Sequence, residues 1–271
     1  MRLIAHAGFH KTGTSSVQQT LRRNGKRLAR EFRVFTHRDI PGVCGAARGM
    51  SAGGKHGGDP LDAALFAFEL AQFLAGLDAD DPRPVVISSE NLAGHMPGRH
   101  GLRRYSVTPA IMARFAEVTG ECLPDALIDF HFSTRERESW LRSCYWQHLR
   151  ATRMTDDFDS YRAAYLPHAD LEADVAAVSA AVPAPHRVHA TPLEACADLR
   201  LGPLEPLLDL MQPGADLRAA LTPLPPANRA LGAEVADELL RLNRAGLDKA
   251  ALTAAKKAVM ARGTGSRGFP A

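Results

Sequence analysis

The chain has 271 residues, of which 45% are hydrophobic and 23% are charged, as is ordinary for a globular protein. This length suits one large α/β domain that buries a sizeable core. The formal net charge of +3 is too small to indicate a nucleic-acid partner, although it is compatible with an anionic ligand.

The N-terminal stretch predicts a strand, a phosphate-binding loop and a helix in succession. A short apolar run from Leu3 breaks at a polar loop bounded by Gly8 and Gly13, and apolar residues return at helical spacing after Thr14. The two glycines permit a tight turn, and the amides that open the next helix favour a bound anion. Lys11 adds a full positive charge to this loop.

Strands and helices alternate along the rest of the chain, which predicts a mostly parallel sheet flanked by helices. The glycine-rich segment 41–60 predicts a mobile loop, either a lid or an irregular connection. Apolar runs predict further strands at 84–90, 126–134 and 187–190. Apolar residues at helical spacing predict helices at 14–30, 61–77, 136–150, 156–165, 170–181 and 203–211.

A proline-rich run at 222–227 breaks regular structure and precedes a final helical pair that extends to about residue 262. We therefore expect one α/β domain over residues 1–222. Residues 223–271 are expected to form a helical C-terminal extension of the same domain.

The loop departs from the P-loop pattern of nucleoside triphosphate enzymes at one position. Against G-x-x-x-x-G-K-[ST], both glycines and the hydroxyl of Ser15 fit, but Thr14 stands where the lysine is expected. The shift of the lysine to position 11 argues against ordinary triphosphate chemistry. It does not argue against binding a phosphate-like anion.

The segment Lys11–Ser16 resembles the 5′-phosphosulfate loop of sulfotransferases that use 3′-phosphoadenosine-5′-phosphosulfate (PAPS). A second motif follows the predicted strand at 126–134, where Arg135 precedes Ser143 by eight positions, just over two helical turns. In sulfotransferases an Arg-x7-Ser pair of this kind binds the 3′-phosphate. The resemblance implies a P-loop-like three-layer fold, and a PAPS site formed by Lys11, Thr12, Gly13, Thr14, Ser15, Ser16, Arg135 and Ser143.

Sulfuryl transfer needs a base for the acceptor proton and a donor for charge on the leaving oxygen. The resemblance implies that Lys11 stabilises the leaving oxygen. It also implies that Glu90, the last residue of the predicted strand at 84–90, is the base, since members of the family use histidine or glutamate there. His56 and His95 are alternative bases, because histidine titrates near neutrality without help.

The resemblance thus implies an enzyme that moves a sulfuryl group from PAPS to a hydroxyl of a small-molecule, carbohydrate or glycolipid acceptor and releases adenosine 3′,5′-bisphosphate. A P-loop kinase of small molecules is an alternative that the Gly8–Ser15 spacing favours. A nucleotide-binding protein of the same fold without catalysis is a third. The sequence contains no motif for the acceptor and does not indicate an oligomeric state.

The four cysteines form no C-x-x-C pair, so neither a zinc site nor a dense disulfide framework is expected. The sequence contains no apolar run of about 18 residues and no signal-peptide pattern before the first strand. We therefore expect a cytoplasmic protein without a membrane span or a metal site.

Overall fold

The structure of the protein is a computed structural model that describes residues 1–52, 59–225 and 232–265. Within these ranges, five strands form one sheet in the order β2-β3-β1-β4-β5, and every neighbouring pair is parallel. The strand bounds are β1 Arg2–His6, β2 Arg33–Thr36, β3 Val85–Ser88, β4 Leu127–Thr134 and β5 Arg187–Pro192.

Helices connect the strands. Parallel pairing requires such connections, because the chain must cross back to the same edge of the sheet before the next strand begins. In the described part of the chain the helices are α1 Thr14–Arg23, α2 Gly25–Leu28, α3 Pro41–Ala52, α4 Pro60–Ala75, α5 Thr108–Cys122, α6 Arg137–Ala151, α7 Phe158–Tyr165, α8 Leu171–Ala181, α9 Glu205–Met211, α10 Ala215–Ala220, α11 Ala233–Arg244 and α12 Lys249–Gly265.

Helices cover both faces of the sheet and make a three-layer α/β architecture. On the first face, Ile4 and Val86 of the sheet share a buried apolar cluster with Val17 of α1 and Leu207 of α9. On the opposite face, aromatic rings meet edge to face, with Phe115 of α5 against Phe130 of β4 and Phe73 of α4 against Phe35 of β2. The predicted fold class, a parallel α/β sheet with C-terminal helices, is confirmed.

A polar row crosses the sheet on the first face, at the carboxyl end of β1. The strand register aligns Thr36, Ser88, His6, His131 and His189 on five successive strands. All of these residues except His189 are buried. The first face is therefore apolar at Ile4 but polar directly beneath the loop that follows β1.

The prediction of a mobile loop over 41–60 is wrong for Pro41–Ala52, which is helix α3, and residues 53–58 of that predicted loop lie outside the described residues. A Cβ on Gly42 would lie 1.9 Å from Oε2 of Glu69, and one on Gly49 would lie 3.5 Å from Oδ1 of Asp62. Both acidic residues belong to α4, so these glycines let two helices approach closely instead of forming a loop. The structure also contains β2 and α5, which the sequence analysis did not predict.

The chain divides into two compact units. The first unit comprises residues 1–137 and 168–224 and contains the whole sheet. The second unit, 138–167 and 225–271, contains most of α6 together with α7, α11 and α12. The predicted organisation, one domain over 1–222 with an extension from 223, stays a prediction.

Within the second unit, α12 supports the C-terminal end of α6. The buried ammonium of Lys256 donates hydrogen bonds to the carbonyls of Leu149 and Thr152, each at 2.6 Å. Asn243 of α11 donates to the same Leu149 carbonyl at 3.2 Å. These donors satisfy carbonyls that a helix end leaves without intrahelical partners. None of the helices in the described ranges is long and apolar enough to cross a membrane.

Candidate functional site

The loop between β1 and α1 has an unusual backbone conformation. Gly8, Lys11 and Gly13 all have positive φ angles, of 28°, 69° and 95°. Lys11 is one of the few residues other than glycine in this left-handed region, where side chains are strained and which is typical of functional loops. The sequence prediction of strand, glycine-bounded loop and helix is confirmed, with α1 beginning at Thr14.

Both glycines of the loop are needed sterically as well as conformationally. A Cβ on Gly8 would lie 2.6 Å from Oγ1 of Thr14 and 2.9 Å from Nε2 of His6. A Cβ on Gly13 would lie 2.8 Å from Cδ1 of Leu193. The loop is therefore packed against the sheet beneath it and against the segment that follows β5.

The amides at the end of this loop have no protein acceptor. Among the described residues, no oxygen accepts a hydrogen bond from the backbone N–H of Thr12, Gly13, Thr14 or Ser15. Oγ1 of Thr12 is turned inward and donates to the carbonyl of Phe9 at 2.7 Å. Four successive amides at the start of a helix form an anion site, which the helix dipole strengthens.

Two cationic side chains belong to this loop region. Lys11 lies in the loop itself and is half-buried. Arg135, the first residue after β4, donates from its guanidinium to the carbonyl of Lys11 at 3.1 Å. The structure therefore places Arg135 against the loop. Ser143 is a partly exposed residue of α6 in the second unit, whereas Arg135 belongs to the first, so the Arg135–Ser143 pairing stays a prediction.

Glu90 begins a short 3₁₀ turn, Glu90–Ala93, that follows β3. Its Oε2 accepts a hydrogen bond of 2.7 Å from Nε2 of Gln18, a buried residue of α1. The carbonyl oxygen of the same amide lies 3.0 Å from Nδ1 of His37. No arginine or lysine in the described ranges forms an ion pair with Glu90. The carboxylate is thus held by α1, the helix that begins at the end of the loop 8–13.

The alternative bases have different positions. His56 lies outside the described residues. His95 lies in the segment after the 3₁₀ turn, where burial, and then the charges of His100, Arg48 and Arg99, lower its pKa to about 4. At neutral pH the imidazole of His95 is consequently uncharged.

Two buried histidines of the polar row support the loop from below. Nδ1 of His6 lies 2.9 Å from the hydroxyl of Ser88, and burial together with His131 lowers the pKa of His6 well below its usual value. Nε2 of His131 lies 3.2 Å from Oγ1 of Thr191, and burial followed by His189 lowers the pKa of His131 to about 4. Both rings are therefore neutral at pH 7.

The sequence analysis missed three residues that shape this region: Gln18, His6 and Tyr105. Tyr105 is buried, and its hydroxyl accepts a 2.9 Å hydrogen bond from the amide of His10. Gln18 occupies the position one turn after Thr14, so helical spacing alone indicates that it shares a face with the loop. No sequence signal indicates Tyr105, because it lies 95 residues from its partner.

No group of three or more histidine, cysteine, aspartate or glutamate side chains in the described ranges is arranged to hold a metal ion. Comparison of the chain with the models of known protein families, with curated proteins and with solved structures gave no match. The function is therefore inferred from the geometry of the loop 8–13 and the residues around it.

Proposed function

We propose that the protein is a sulfotransferase that moves a sulfuryl group from PAPS to a hydroxyl of a carbohydrate or glycolipid acceptor. The observation that carries the proposal is the loop 8–13, because its last amides and the first amides of α1 have no acceptor among the residues that the structure describes. Lys11 within the loop and Arg135 against it add positive charge. This set of donors suits a phosphosulfate better than a neutral ligand.

The donor set divides between the two ends of the cofactor. The amides of Thr12 to Ser15, with the exposed hydroxyl of Ser15, bind the 5′-phosphosulfate. Arg135 binds the 3′-phosphate, because a guanidinium engages two phosphate oxygens at once.

PAPS supplies an activated sulfuryl group, so the transfer forms a bond from the acceptor oxygen to sulfur and breaks the bond from sulfur to the 5′-phosphate oxygen. Glu90 takes the proton of the acceptor hydroxyl. Its Oε2 is occupied by Gln18, whereas Oε1 has no partner among the described residues and is the atom that receives the proton. Lys11 stabilises the negative charge that the departing phosphate oxygen acquires.

Calorimetric titration of the metal-free protein with adenosine 3′,5′-bisphosphate tests the proposal without knowledge of the acceptor. We expect micromolar or tighter binding of the bisphosphate and none of ATP. Arg135→Gln should weaken binding about 10- to 100-fold, since hydrogen bonds to charged groups contribute about 1.5–3 kcal/mol. Arg187→Gln is the matched control, because Arg187 is exposed at the start of β5, the opposite end of the strand from the carboxyl edge.

Two results would contradict the proposal. Binding of ATP that requires Mg²⁺, without binding of the bisphosphate, would favour a P-loop kinase, for which the Gly8–Ser15 spacing is the supporting observation. Tight binding of the bisphosphate without transfer from PAPS to any acceptor, and with Glu90→Gln unchanged, would favour a nucleotide-binding protein that lacks catalysis.

A further inference from the structure

A group of basic side chains lies beside the loop on the side of Glu90. We call it the basic cluster, and it consists of His10, Arg48, His95, Arg99 and His100. Arg48 lies one turn after Cys44 on α3, and Sγ of Cys44 is 3.2 Å from Oγ of Ser89, the residue before Glu90. Arg48 is also one turn from Ser51, since both residues belong to α3.

Hydrogen bonds and ring contacts fix the positions of the three histidines. The hydroxyl of Tyr105 accepts from the amide of His10 and lies 3.1 Å from Nδ1 of its ring. The amide of His95 donates to Oγ of the buried Ser51 in α3 at 2.7 Å. The rings of His95 and His100 are in contact, with centroids 4.4 Å apart and planes tilted by 34°. The basic cluster is therefore attached to both the loop and α3.

The charged groups of the basic cluster lower the pKa values of two of its histidines, His10 and His95. Burial, followed by Arg99, His95, Lys11 and Arg48, lowers the pKa of His10 to about 3. Arg48 and Arg99 also lower the pKa of His95. Arg48 and Arg99 thus both act electrostatically on the two imidazoles. At pH 7 the imidazoles of His10 and His95 are neutral donors or acceptors, and the arginines carry the positive charge.

The two arginines of the basic cluster form no ion pair with a carboxylate of the described residues. Arg104, nearby in sequence, instead pairs with Asp174 at 2.7 Å. Nε of Arg99 is buried and has no hydrogen-bond acceptor among the described residues. A buried N–H without an acceptor is destabilising, and a bound anion would supply the missing acceptor.

We propose that the basic cluster binds an anionic group of the acceptor, a carboxylate or a sulfate ester, so that the enzyme acts on acidic and not on neutral sugars. The proposal rests on the sulfotransferase function. The phosphate groups of the cofactor are assigned to the loop amides and Arg135, which leaves the cluster for the second substrate. Since Glu90 is the proposed base, an anion held beside it belongs to the molecule whose hydroxyl loses the proton.

Calorimetric titration with three matched glycosides tests this inference on the full chain saturated with adenosine 3′,5′-bisphosphate. The probes are 4-nitrophenyl β-D-glucuronide, the 6-sulfate of 4-nitrophenyl β-D-glucoside and the uncharged 4-nitrophenyl β-D-glucoside. We expect at least one anionic glycoside to bind about 10-fold or more tightly than the glucoside, as a partly buried charged hydrogen bond implies. Comparison of the two anionic probes shows whether the cluster selects carboxylate or sulfate.

Arg99→Gln should reduce this preference to about twofold or less, and Arg48→Gln, at an exposed position, should reduce it in the same direction. Arg187→Gln removes the same charge at the start of β5, at the opposite edge of the sheet from the basic cluster. This control variant should retain the preference for the anionic glycoside. Equal binding of the three glycosides, absence of binding by both anionic probes at about 10 mM, or a preference that survives in both cluster variants would overturn the inference. Bisphosphate binding in the same protein shows that the proposed function stands independently of these results.

Discussion

Replacement of His131 by glutamine should make the stability of the first unit less sensitive to acid. His131 is 2% exposed in the polar row, and burial, followed by the charge of His189, lowers its pKa to about 4. In the unfolded chain a histidine titrates near about 6.5. Between these two values the unfolded state binds more protons, so stability is complete above the unfolded pKa and is lost as the pH falls.

The difference between the folded and unfolded pKa values of His131 determines how much stability is lost on acidification. For one histidine with these values, the free energy of unfolding falls by about 2 kcal/mol between pH 7 and pH 5. Glutamine retains an amide that reaches toward Oγ1 of Thr191 but does not titrate. The His131→Gln variant should therefore lose about 2 kcal/mol less than the wild type over this interval, whatever its stability at pH 7.

Urea unfolding at the two pH values measures this difference. Circular dichroism is the suitable signal, because both tryptophans of the chain, Trp140 and Trp146, belong to the second unit and their fluorescence follows that unit alone. His168→Gln, outside the polar row, is the control and should keep the wild-type acid sensitivity. Equal losses in the wild type and the His131→Gln variant would refute the assignment of a depressed pKa to His131.

Three further substitutions have defined outcomes. Gly13→Ala should lower stability by about 1–3 kcal/mol in thermal unfolding, because φ is 95° and the new Cβ meets Leu193; Gly25→Ala, with open space around it, should not. Lys256→Met should lower the free energy of unfolding by about 1–3 kcal/mol, as measured by tryptophan fluorescence. Lys257→Met, at the exposed neighbouring position, should change this free energy little. Glu90→Gln should keep the affinity for bisphosphate and lower sulfuryl transfer about 100-fold or more; unchanged transfer would exclude this base.

The strongly patterned elements of the fold could be predicted from the sequence. The apolar runs of β3 and β4 and the helical spacing of α4 indicated these elements within about two residues of their bounds. The strand β2 was missed because it has only four residues at a sheet edge and contains Arg33 and Thr36, which weaken an apolar pattern. Helix α3 was missed because glycines that allow close packing against α4 resemble those of a loop.

In the candidate site, too, some residues could be predicted from the sequence and others could not. The loop and Arg135 were visible as local motifs, because each depends on neighbours in the sequence or on a strand end. The contacts of Glu90 with Gln18 and of His10 with Tyr105 join residues 72 and 95 positions apart, so no local pattern indicates them. The basic cluster was equally hidden, since its members come from the loop, from α3 and from the segment after residue 94.

The amide of Gln18 limits the routes by which a proton could leave Glu90 in the proposed mechanism. Its nitrogen donates to Glu90, so its oxygen accepts from His37 and requires a hydrogen on Nδ1 of that ring. Although Glu90, Gln18 and His37 form a continuous chain of hydrogen bonds, a carboxamide does not pass protons along such a chain at neutral pH. In the proposed mechanism, the proton that Glu90 receives would therefore leave through Oε1, and solvent access to that single oxygen would be required for each new cycle.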